Sequence, residues 1–533
     1  MRLAPFDVKN DNYHLGHLVM DGLRLRPNAV CQIDVATGKS ETNGSVLSRS
    51  IQLARCLRKF GAKPGTGMAL GGNNHLDLHI PFYAAHFNGM PLTGVDPHFK
   101  LDKLKVLFEI CKPGVAFCEK DMFDTYVQAA EEAGVDVKII HYGEGENSFA
   151  KFIEEYDDGE SNEEFQPAIF DLDKVYAWMT STGGTTGIVK LAAFKHKALL
   201  RKIMILKSLQ ENGQQEPPEA PNKNALHVSP VQWVSAFFNV VTFPLSRQTK
   251  VQSSAEGSTE HYIDMINQYK PVSAVMSPYS VADILKNKKP CDFTCFDILV
   301  VTGGKVRKEL ILELREKMRP NALVLEVYGQ TEQLGPVLRV DPRGPIGSCG
   351  RESPLLCEVK LVDPVTQKVI TEPNVPGEIW IKGAVFSEYY NNPEETAKAF
   401  TEDGWFKSGD ILYRDEEGYF YFVERARMRI KFQNHEIIPS EVEAVILQHP
   451  GVYDVSVTSM PHETDGEHIV ACVVKRQGAD VTAAEIKDLV ASKLADFHRL
   501  RGGVVFLDKM PMTSSLKIAR GYLSKLVLTA NRE

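Results

Sequence analysis

Short apolar segments alternate with helical patterns through the first part of this 533-residue chain. Turn residues bound each apolar segment, which is typical of buried strands; the segments are "GMAL", "GVAFCE", "VKIIHYG", "VYAWM", "VSAVMS", "DILVVTGG" and "LVLEVYG". The stretch "SVLSRSIQLARCLRKFG" predicts a helix that begins near Ser45 and ends at Gly61, and "LHIPFYAAHFNG" predicts another helix. This alternation indicates an α/β fold with layers of mostly parallel sheets.

The pattern changes from about Gly344, where "CEVKLVD", "GEIWIKG" and "GYFYFVE" predict alternating or aromatic strands at hairpin-like spacing. These strands predict a small β-barrel-like part at the end of the large domain. After Arg427 the chain predicts a small α+β unit. Its helices are expected in "PSEVEAVILQHPGV" and "TAAEIKDLVASKL", and its strands in "DVSVTSMP" and "HIVACVVKR". We place the domain boundary near residues 424–427.

Composition and charge exclude several classes of protein. The length exceeds what one hydrophobic core supports, and 43% hydrophobic with 24% charged residues is typical of a globular protein. The net charge of −8 argues against a nucleic-acid partner. No apolar run approaches the ~18–20 residues needed to span a bilayer, so we expect no membrane span.

The cysteines and the termini predict a cytoplasmic protein. The nine cysteines are scattered, and the closest pair, Cys291 and Cys295, has no matching second pair, which argues against a zinc site and favours free thiols. The N-terminal residues lack the apolar segment of a signal peptide. The chain ends in "ANRE" and not in the peroxisomal Ser-Lys-Leu.

The stretch "MTSTGGTTGIVK", residues 179–190, combines glycines, hydroxyl side chains and one lysine directly after an apolar strand. Glycines let main-chain N–H groups approach a ligand, and successive N–H groups form an anion-binding concavity. Thr182, Thr185 and Thr186 add hydroxyl donors, and Lys190 adds positive charge. The stretch does not match the Walker pattern. It is therefore either a phosphate-binding loop or a flexible turn after a strand.

Four further motifs follow it: "YGQTE" at residues 328–332, "SGD" at residues 408–410, "ERARMRIKFQNHEIIPSEVE" from Glu424, and "PMTSSLK" ending at Lys517. Each is weak alone, but their order and spacing together resemble the adenylate-forming superfamily. That superfamily includes acyl-CoA synthetases, coumarate-CoA ligases, beetle luciferases and peptide-synthetase adenylation domains. Stretches such as "YYNNPEETAKAF", "DGWFKSGDILYRDEEGYF", "ILQHPGV" and "LRGGVVF" are most similar to the insect luciferase-like acyl-CoA synthetases.

The resemblance implies a large AMP-binding domain over residues 1–424, a hinge at 425–427 containing Arg427, and a small mobile lid over 428–533. It implies ATP, Mg²⁺ and CoA as cofactors. The residues that it assigns to nucleotide binding are Thr182, Gly184, Thr185, Thr186, Lys190, Tyr328, Gly329, Gln330, Thr331, Glu332, Asp410 and Arg425. Among these, Glu332 would hold Mg²⁺, Thr331 would contact the α-phosphate, and Asp410 would accept the ribose hydroxyls.

By the same resemblance Lys517 on the lid would be the main catalyst of adenylate formation, with Lys431 and Thr331 also catalytic. A cationic amine can stabilise the charge that builds between the acid and the α-phosphate. A swing at the hinge would then withdraw Lys517 and present the face around Lys431 and Asn434 for thioester formation. Asn434 and Leu516 replace glycines of the family pattern, which concerns the CoA step more than adenylation.

The acid pocket is expected beside Trp233, Gly303, Gly304 and Lys305. Trp233 stands where the family usually has His, and it either packs in the core or reshapes the pocket. Lys305 either pairs with a second polar group of the substrate or is a surface lysine.

The sequence thus predicts an enzyme that activates a small-molecule carboxylic acid with ATP and transfers it to CoA. One alternative is an insect luciferase, in which O₂ replaces CoA and oxidises the luciferyl-adenylate with emission of light. Another alternative is a non-catalytic adenylate-binding protein, which the retained Glu332, Asp410 and Lys517 argue against.

Overall fold

The computed structural model describes residues 12–182, 189–210, 222–383, 386–433, 435–513 and 517–533. They form two compact units. The first contains Val189–Glu358 and Lys382–Phe406 together with the described chain before residue 183, and the second contains Val359–Ile381 and Lys407–Glu533. The division at residues 424 and 428 stays a prediction.

The described α-helices, in chain order, are α1 (Leu15–Arg24), α2 (Asn43–Phe60), α3 (His79–Asn88), α4 (Leu101–Cys111), α5 (Phe123–Ala133), α6 (Phe149–Tyr156), α7 (His196–Gln210), α8 (Val234–Thr242), α9 (Thr259–Tyr269), α10 (Pro278–Lys286), α11 (Lys308–Lys317), α12 (Pro393–Ala399), α13 (Pro439–Ile446), α14 (Ala483–Lys493) and α15 (Arg520–Leu526).

The described strands are β1 (Val30–Asp34), β2 (Lys39–Thr42), β3 (Met68–Gly71), β4 (Leu92–Val95), β5 (Val115–Cys118), β6 (Lys138–His141), β7 (Tyr176–Thr182), β8 (Lys190–Lys195), β9 (Lys223–Leu226), β10 (Gln248–Gln252), β11 (Ser273–Met276), β12 (Ile298–Thr302), β13 (Leu323–Val327), β14 (Gly329–Gln330), β15 (Gly335–Pro336), β16 (Gly350–Arg351), β17 (Glu358–Val362), β18 (Val369–Ile370), β19 (Gly377–Lys382), β20 (Glu388–Tyr389), β21 (Phe406–Arg414), β22 (Tyr419–Arg425), β23 (Ile430–Phe432), β24 (His435–Ile437), β25 (Val452–His462), β26 (Gly466–Lys475) and β27 (Gly503–Leu507).

Two seven-stranded sheets form the body of the first unit. One has the order β13-β12-β11-β9-β10-β1-β2 and is parallel except for the β1/β2 pair. The other has the order β20-β8-β7-β4-β3-β5-β6, in which β7, β4, β3, β5 and β6 run parallel and β8 and β20 are added antiparallel. Each sheet therefore has a parallel centre and antiparallel strands at one edge.

Each parallel sheet is covered by amphipathic helices whose ends follow from local chemistry. The Thr42 side chain caps α2 by accepting from the Ser45 N–H, and Gly61 ends the helix at φ 110°, a conformation that glycine adopts without strain. Buried apolar side chains from β3, β5, α4 and α5 pack as one cluster, and those from β11–β13 and α9–α11 pack as another.

The second unit contains two sheets. Strands β22, β21, β19, β17 and β18 are neighbours in that order, with antiparallel β21/β22 and β17/β18 pairs. A second sheet has the order β24-β23-β26-β25, with β27 parallel to β26. Helices α13 and α14 contribute Val442, Ile446, Ile486 and Val490 to its core.

The predicted α/β class, with mostly parallel sheets in the large part and a small α+β unit at the C-terminal end, is confirmed. Each quoted apolar segment contains a strand. The search for membrane-spanning helices, which covered the described residues, found none of sufficient length and apolarity.

Candidate active site

The predicted phosphate loop begins and ends on two adjacent strands. Thr182 ends β7, Lys190 begins β8, and the two residues are direct cross-strand partners. Gly184, Thr185 and Thr186 belong to the connection between them and lie outside the described residues, as do Asn434 and Leu516. The strand register therefore places Thr182 and Lys190 opposite each other at the two ends of the loop.

Lys190 is anchored by an acid and an aromatic ring. Its ammonium pairs with the Glu395 carboxylate of α12 and lies 5.1 Å from the centroid of the Tyr389 ring. This ion pair, together with a second bond from Lys398, lowers the pKa of Glu395. Both members of the Lys190–Glu395 pair are largely covered, so the pair fixes the position of the lysine in the absence of phosphate.

The same tyrosine connects Lys190 to Glu332. The Tyr389 hydroxyl donates to Glu332 Oε1 at 2.8 Å, and the Phe386 N–H donates to the Glu332 carbonyl at 3.2 Å. Neither contact was predicted from the sequence. A carboxylate and a lysine that separate motifs predicted for metal and phosphate binding thereby contact one tyrosine, through its hydroxyl and its ring.

The "YGQTE" motif folds into a tight hairpin. Strands β14 and β15 pair through Gly329 opposite Pro336 and Gln330 opposite Gly335, and a 3-10 turn over Thr331–Gln333 joins them. A Cβ added at Gly329 would lie 2.1 Å from the Gly335 carbonyl oxygen, so only glycine allows this approach. Tyr328, which precedes the hairpin, is buried.

The side chain of a buried lysine forms a hydrogen bond with this hairpin. Lys202 of α7 donates to the Pro336 carbonyl oxygen at 2.8 Å, and burial lowers its pKa to about 8. The sequence carries no signal for this contact, because Lys202 is one of several lysines in its helix and its partner lies 134 residues away.

The expected acid pocket lies around the carboxyl ends of β12 and β13. These strands are parallel, and the Thr302 hydroxyl donates to the Val327 carbonyl at 2.8 Å, which places Gly303 and Tyr328 at one sheet edge. Gly303 has φ +92°, and a Cβ there or at Gly304 would meet no atom closer than 3.8 Å. The glycines thus leave open space at this edge.

Two further side chains bear on the expected acid pocket. Trp233 is half-buried at the residue before α8, next to Gln232, whose main chain packs against Gly94. Glu326 on β13 was not predicted: burial raises its pKa to about 7, and Lys305 partly offsets that rise. Among the described residues Glu326 Oε2 has no hydrogen-bond partner. An isolated glutamate in an apolar strand gives no sequence signal beyond its position two residues before Tyr328.

In the second unit, Asp410 and Arg425 are direct cross-strand partners on β21 and β22. The Arg425 Nε lies 3.1 Å from Asp410 Oδ1, with 36% of the arginine and 3% of the aspartate side chain exposed. The Ser408 hydroxyl accepts from the Asp410 N–H, and the Glu378 carboxylate accepts from the Gly409 N–H. The aspartate is a buried, oriented acceptor, as recognition of a diol requires.

The remaining predicted residues of this unit are exposed. Arg427 lies in the 3-10 turn Ala426–Met428, and Lys431 lies on β23 with its N–H bonded to Glu467 Oε2 at 2.7 Å. The Lys517 N–H donates to Thr513 Oγ1 at 3.2 Å, and the Lys517 carbonyl accepts from the Thr513 N–H at 2.7 Å. Both lysines are exposed to solvent.

The chain matches the models of two protein families. The model of the AMP-binding enzymes matches residues 22–390, and the model of the AMP-binding enzyme C-terminal domain matches residues 441–517. The chain belongs to the AMP-binding enzyme family. The predicted relationship to the adenylate-forming enzymes is confirmed.

Curated relatives of this AMP-binding enzyme include luciferases and CoA ligases. Luciferin 4-monooxygenase of Photuris pensylvanica is 28% identical over 494 residues, covering 90% of this chain and 88% of the relative. 4-Coumarate-CoA ligase 1 of Narcissus pseudonarcissus is 27% identical, and the match covers 92% of this chain and 89% of the relative. The solved anthranilate CoA ligase AuaEII in complex with anthranoyl-AMP superposes with a TM-score of 0.85 at 18% identity. The superposition covers 97% of this chain and 98% of that structure, and it supports the fold.

Proposed function

We propose that this enzyme joins a carboxylic acid to AMP at the expense of ATP and then transfers the acyl group to CoA. The observation that carries the proposal is the chain of contacts from Glu395 through Lys190 and Tyr389 to Glu332. It joins the two sequence motifs that handle phosphate and metal in the family.

In the first step, a carboxylate oxygen of the acid attacks the α-phosphorus of ATP. The bond from that phosphorus to the bridging oxygen breaks, and pyrophosphate leaves with the electron pair. Phosphoryl chemistry of this type depends on positioning and charge stabilisation. Thr182 and Lys190, with Gly184, Thr185 and Thr186 of the loop, would hold the β- and γ-phosphates, and Thr331 would contact the α-phosphate.

The donor set fits a hard cation. Mg²⁺ is usually held by one or two carboxylates together with substrate phosphates, and Glu332 offers a carboxylate that Tyr389 orients. When bound, Mg²⁺ would neutralise charge on the phosphate oxygens. In the second unit, Asp410 would accept the ribose hydroxyls with Arg425 beside it, while Tyr328, Gly329 and Gln330 would contact the adenine side.

Lys517 would stabilise the charge that develops between the acid and the α-phosphate. Its exposed position is suited to a residue that acts on a ligand bound elsewhere and then withdraws. We propose a swing about Arg427 that exchanges Lys517 for the face carrying Lys431. The CoA sulfur then attacks the acyl carbonyl carbon, the bond to the AMP oxygen breaks, and AMP leaves.

A second candidate is an ATP-dependent luciferase, which the 28% identity to the Photuris enzyme favours. It would share the adenylation step and oxidise the adenylate with O₂. Both candidates use the same nucleotide site, so they differ only in the fate of the adenylate.

A panel of aromatic and medium-to-long-chain acids in an ATP–pyrophosphate exchange assay, run with and without CoA, tests the proposal. Acid-dependent exchange and a thioester that forms only with CoA support the ligase. Exchange accompanied by light in air supports the luciferase. Absence of exchange with every acid would contradict both candidates.

A further inference from the structure

Two histidines and one aspartate meet at the tip of the β25–β26 hairpin, outside the nucleotide site. His462 ends β25, Asp465 lies in the turn, and His468 is the third residue of β26. The Asp465 Oδ2 atom lies 3.3 Å from His462 Nδ1 and 2.9 Å from His468 Nε2. The two imidazole rings stack with centroids 3.7 Å apart and planes 16° from parallel. One carboxylate oxygen thus faces one nitrogen from each of two adjacent rings.

The spacing of these atoms matches a first coordination shell. One ligand atom from each residue lies within 4.8 Å of the other two. Ligands at ~2.0–2.1 Å from a tetrahedral metal lie about 3.3–3.4 Å from one another. The two distances of 3.3 Å and 2.9 Å are close to that value. Because an ion lies in the plane of each imidazole that binds it, one ring must turn out of the stack to admit one. In the part of the chain that the structure describes, no other group of His, Cys, Asp and Glu side chains meets this spacing.

A neighbouring side chain orients the carboxylate. The Gln433 side-chain amide donates to Asp465 Oδ1 at 2.8 Å, and the Gln433 N–H donates to the Asp465 carbonyl at 2.7 Å. Hydrogen bonds of this kind hold metal-binding carboxylates in place.

Both ligand nitrogens take part in hydrogen bonds that an ion would replace. His462 Nδ1 accepts from the Asp465 N–H at 3.2 Å, and His468 Nε2 lies 2.9 Å from Asp465 Oδ2. The exposed fractions of the His462, Asp465 and His468 side chains are 39%, 22% and 16%. An ion and its water ligands can therefore reach the site from solvent.

The hairpin thus brings two imidazoles and one oriented carboxylate within reach of one another, outside the nucleotide site. We propose that His462, Asp465 and His468 bind one divalent transition-metal ion of the zinc and cobalt class, with water completing a tetrahedral shell. Imidazole with one carboxylate suits such ions, whereas Mg²⁺ prefers oxygen ligands. The site is independent of the proposed function and uses no cysteine.

The test uses the full-length chain, stripped of metal with a chelator and then titrated with Co²⁺ alone. We expect one equivalent to bind with the visible absorption bands of tetrahedral Co²⁺, and one equivalent of Zn²⁺ to displace it in calorimetry. His468→Gln should abolish the bands and weaken binding by at least about 100-fold, whereas Gln433→Met should weaken it about 10-fold.

His435→Gln is the matched control, because His435 is an exposed histidine on the neighbouring strand β24 that stacks on Phe497. It should leave Co²⁺ binding unchanged. His462→Gln, at the most exposed ligand, repeats the test in a variant whose fold is least at risk. Absence of the Co²⁺ bands in the parent chain, or their persistence in both ligand variants, would overturn the proposal.

Discussion

The two units hold their functional side chains in different ways. In the first unit, Lys190 and Glu332 are fixed by other side chains, through Glu395 and Tyr389. In the second, Lys431 and Lys517 are exposed, and hydrogen bonds of their main chains set the local backbone. Under the proposed function, the difference would separate residues held in place for nucleotide binding from residues that act in one chemical step only.

This comparison gives each kind of residue a distinct mutational signature. Removing an anchor in the first unit should weaken the binding of Mg²⁺ and ATP without stopping chemistry. Removing an exposed lysine in the second unit should stop one chemical step and leave nucleotide binding unchanged.

The largest effect is expected for Lys517→Ala, which should lower acid-dependent ATP–pyrophosphate exchange by about 10²–10³-fold, as for loss of one donor to a developing charge. Lys525→Ala, an exposed lysine of the nearby α15, is the control and should retain exchange. Equal exchange in Lys517→Ala and the parent enzyme would remove Lys517 from the mechanism.

Lys250, a buried lysine outside the predicted site, extends the comparison with the exposed Lys431 and Lys517 to stability. Lys250 is fully buried with its ammonium 2.7 Å from His79 Nδ1, and burial lowers its pKa from 10.5 to about 8. The unfolded chain therefore holds more protons between pH 8 and 10.5, so stability rises with pH across that window. At about 1.4 kcal/mol per pKa unit, the rise is about 3 kcal/mol.

Lys250→Met should remove this pH-dependent rise and stabilise the protein at pH 7, as measured by urea unfolding at several pH values. Lys39→Met, at an exposed lysine of the neighbouring β2, should leave the profile of the parent protein. A profile that is the same in Lys250→Met and the parent would show that Lys250 does not titrate in this window.

Tyr389→Phe tests the anchor itself. It keeps the ring under Lys190 and removes the hydrogen bond to Glu332, which as a bond to a charged group is worth ~1.5–3 kcal/mol. We expect the Mg²⁺ and ATP concentrations for half-maximal exchange to rise about tenfold while the maximal rate changes little. Tyr390→Phe, at the adjacent tyrosine, is the control. A fall in the maximal rate alone would place Tyr389 in the chemistry instead.

The smallest effect is expected for Trp233→His, which restores the residue usual in the family. It should change the ratio of exchange rates between large and small acids by about fivefold, the lower end of the ~1–3 kcal/mol by which pocket shape discriminates. Trp405→His, at a half-buried tryptophan beside Lys382, is the control. An unchanged acid profile would indicate that Trp233 serves packing.

The sequence predicted the elements of this fold because local signals fix them. Gly61 ends α2 in the left-handed conformation that its position indicated, and Pro439 begins α13 as expected. The pairing of Asp410 with Arg425 joins β22, which "GYFYFVE" predicted, to β21, which none of the predicted strands covered. The contacts of Tyr389 and Lys202 could not be predicted, because their partners lie 57 and 134 residues away. The raised pKa of Glu326 could not be predicted either, because it depends on how deeply the fold buries that side chain.

The most direct test of the account supplies a synthetic acyl-adenylate with CoA to Lys517→Ala and Lys431→Ala. The account predicts a crossover: Lys517→Ala converts the adenylate to thioester at the parent rate yet fails in exchange, and Lys431→Ala exchanges normally yet fails to convert the adenylate. If both variants lose the same step, or if Lys517→Ala loses both steps, the division of labour between the two exposed lysines is wrong.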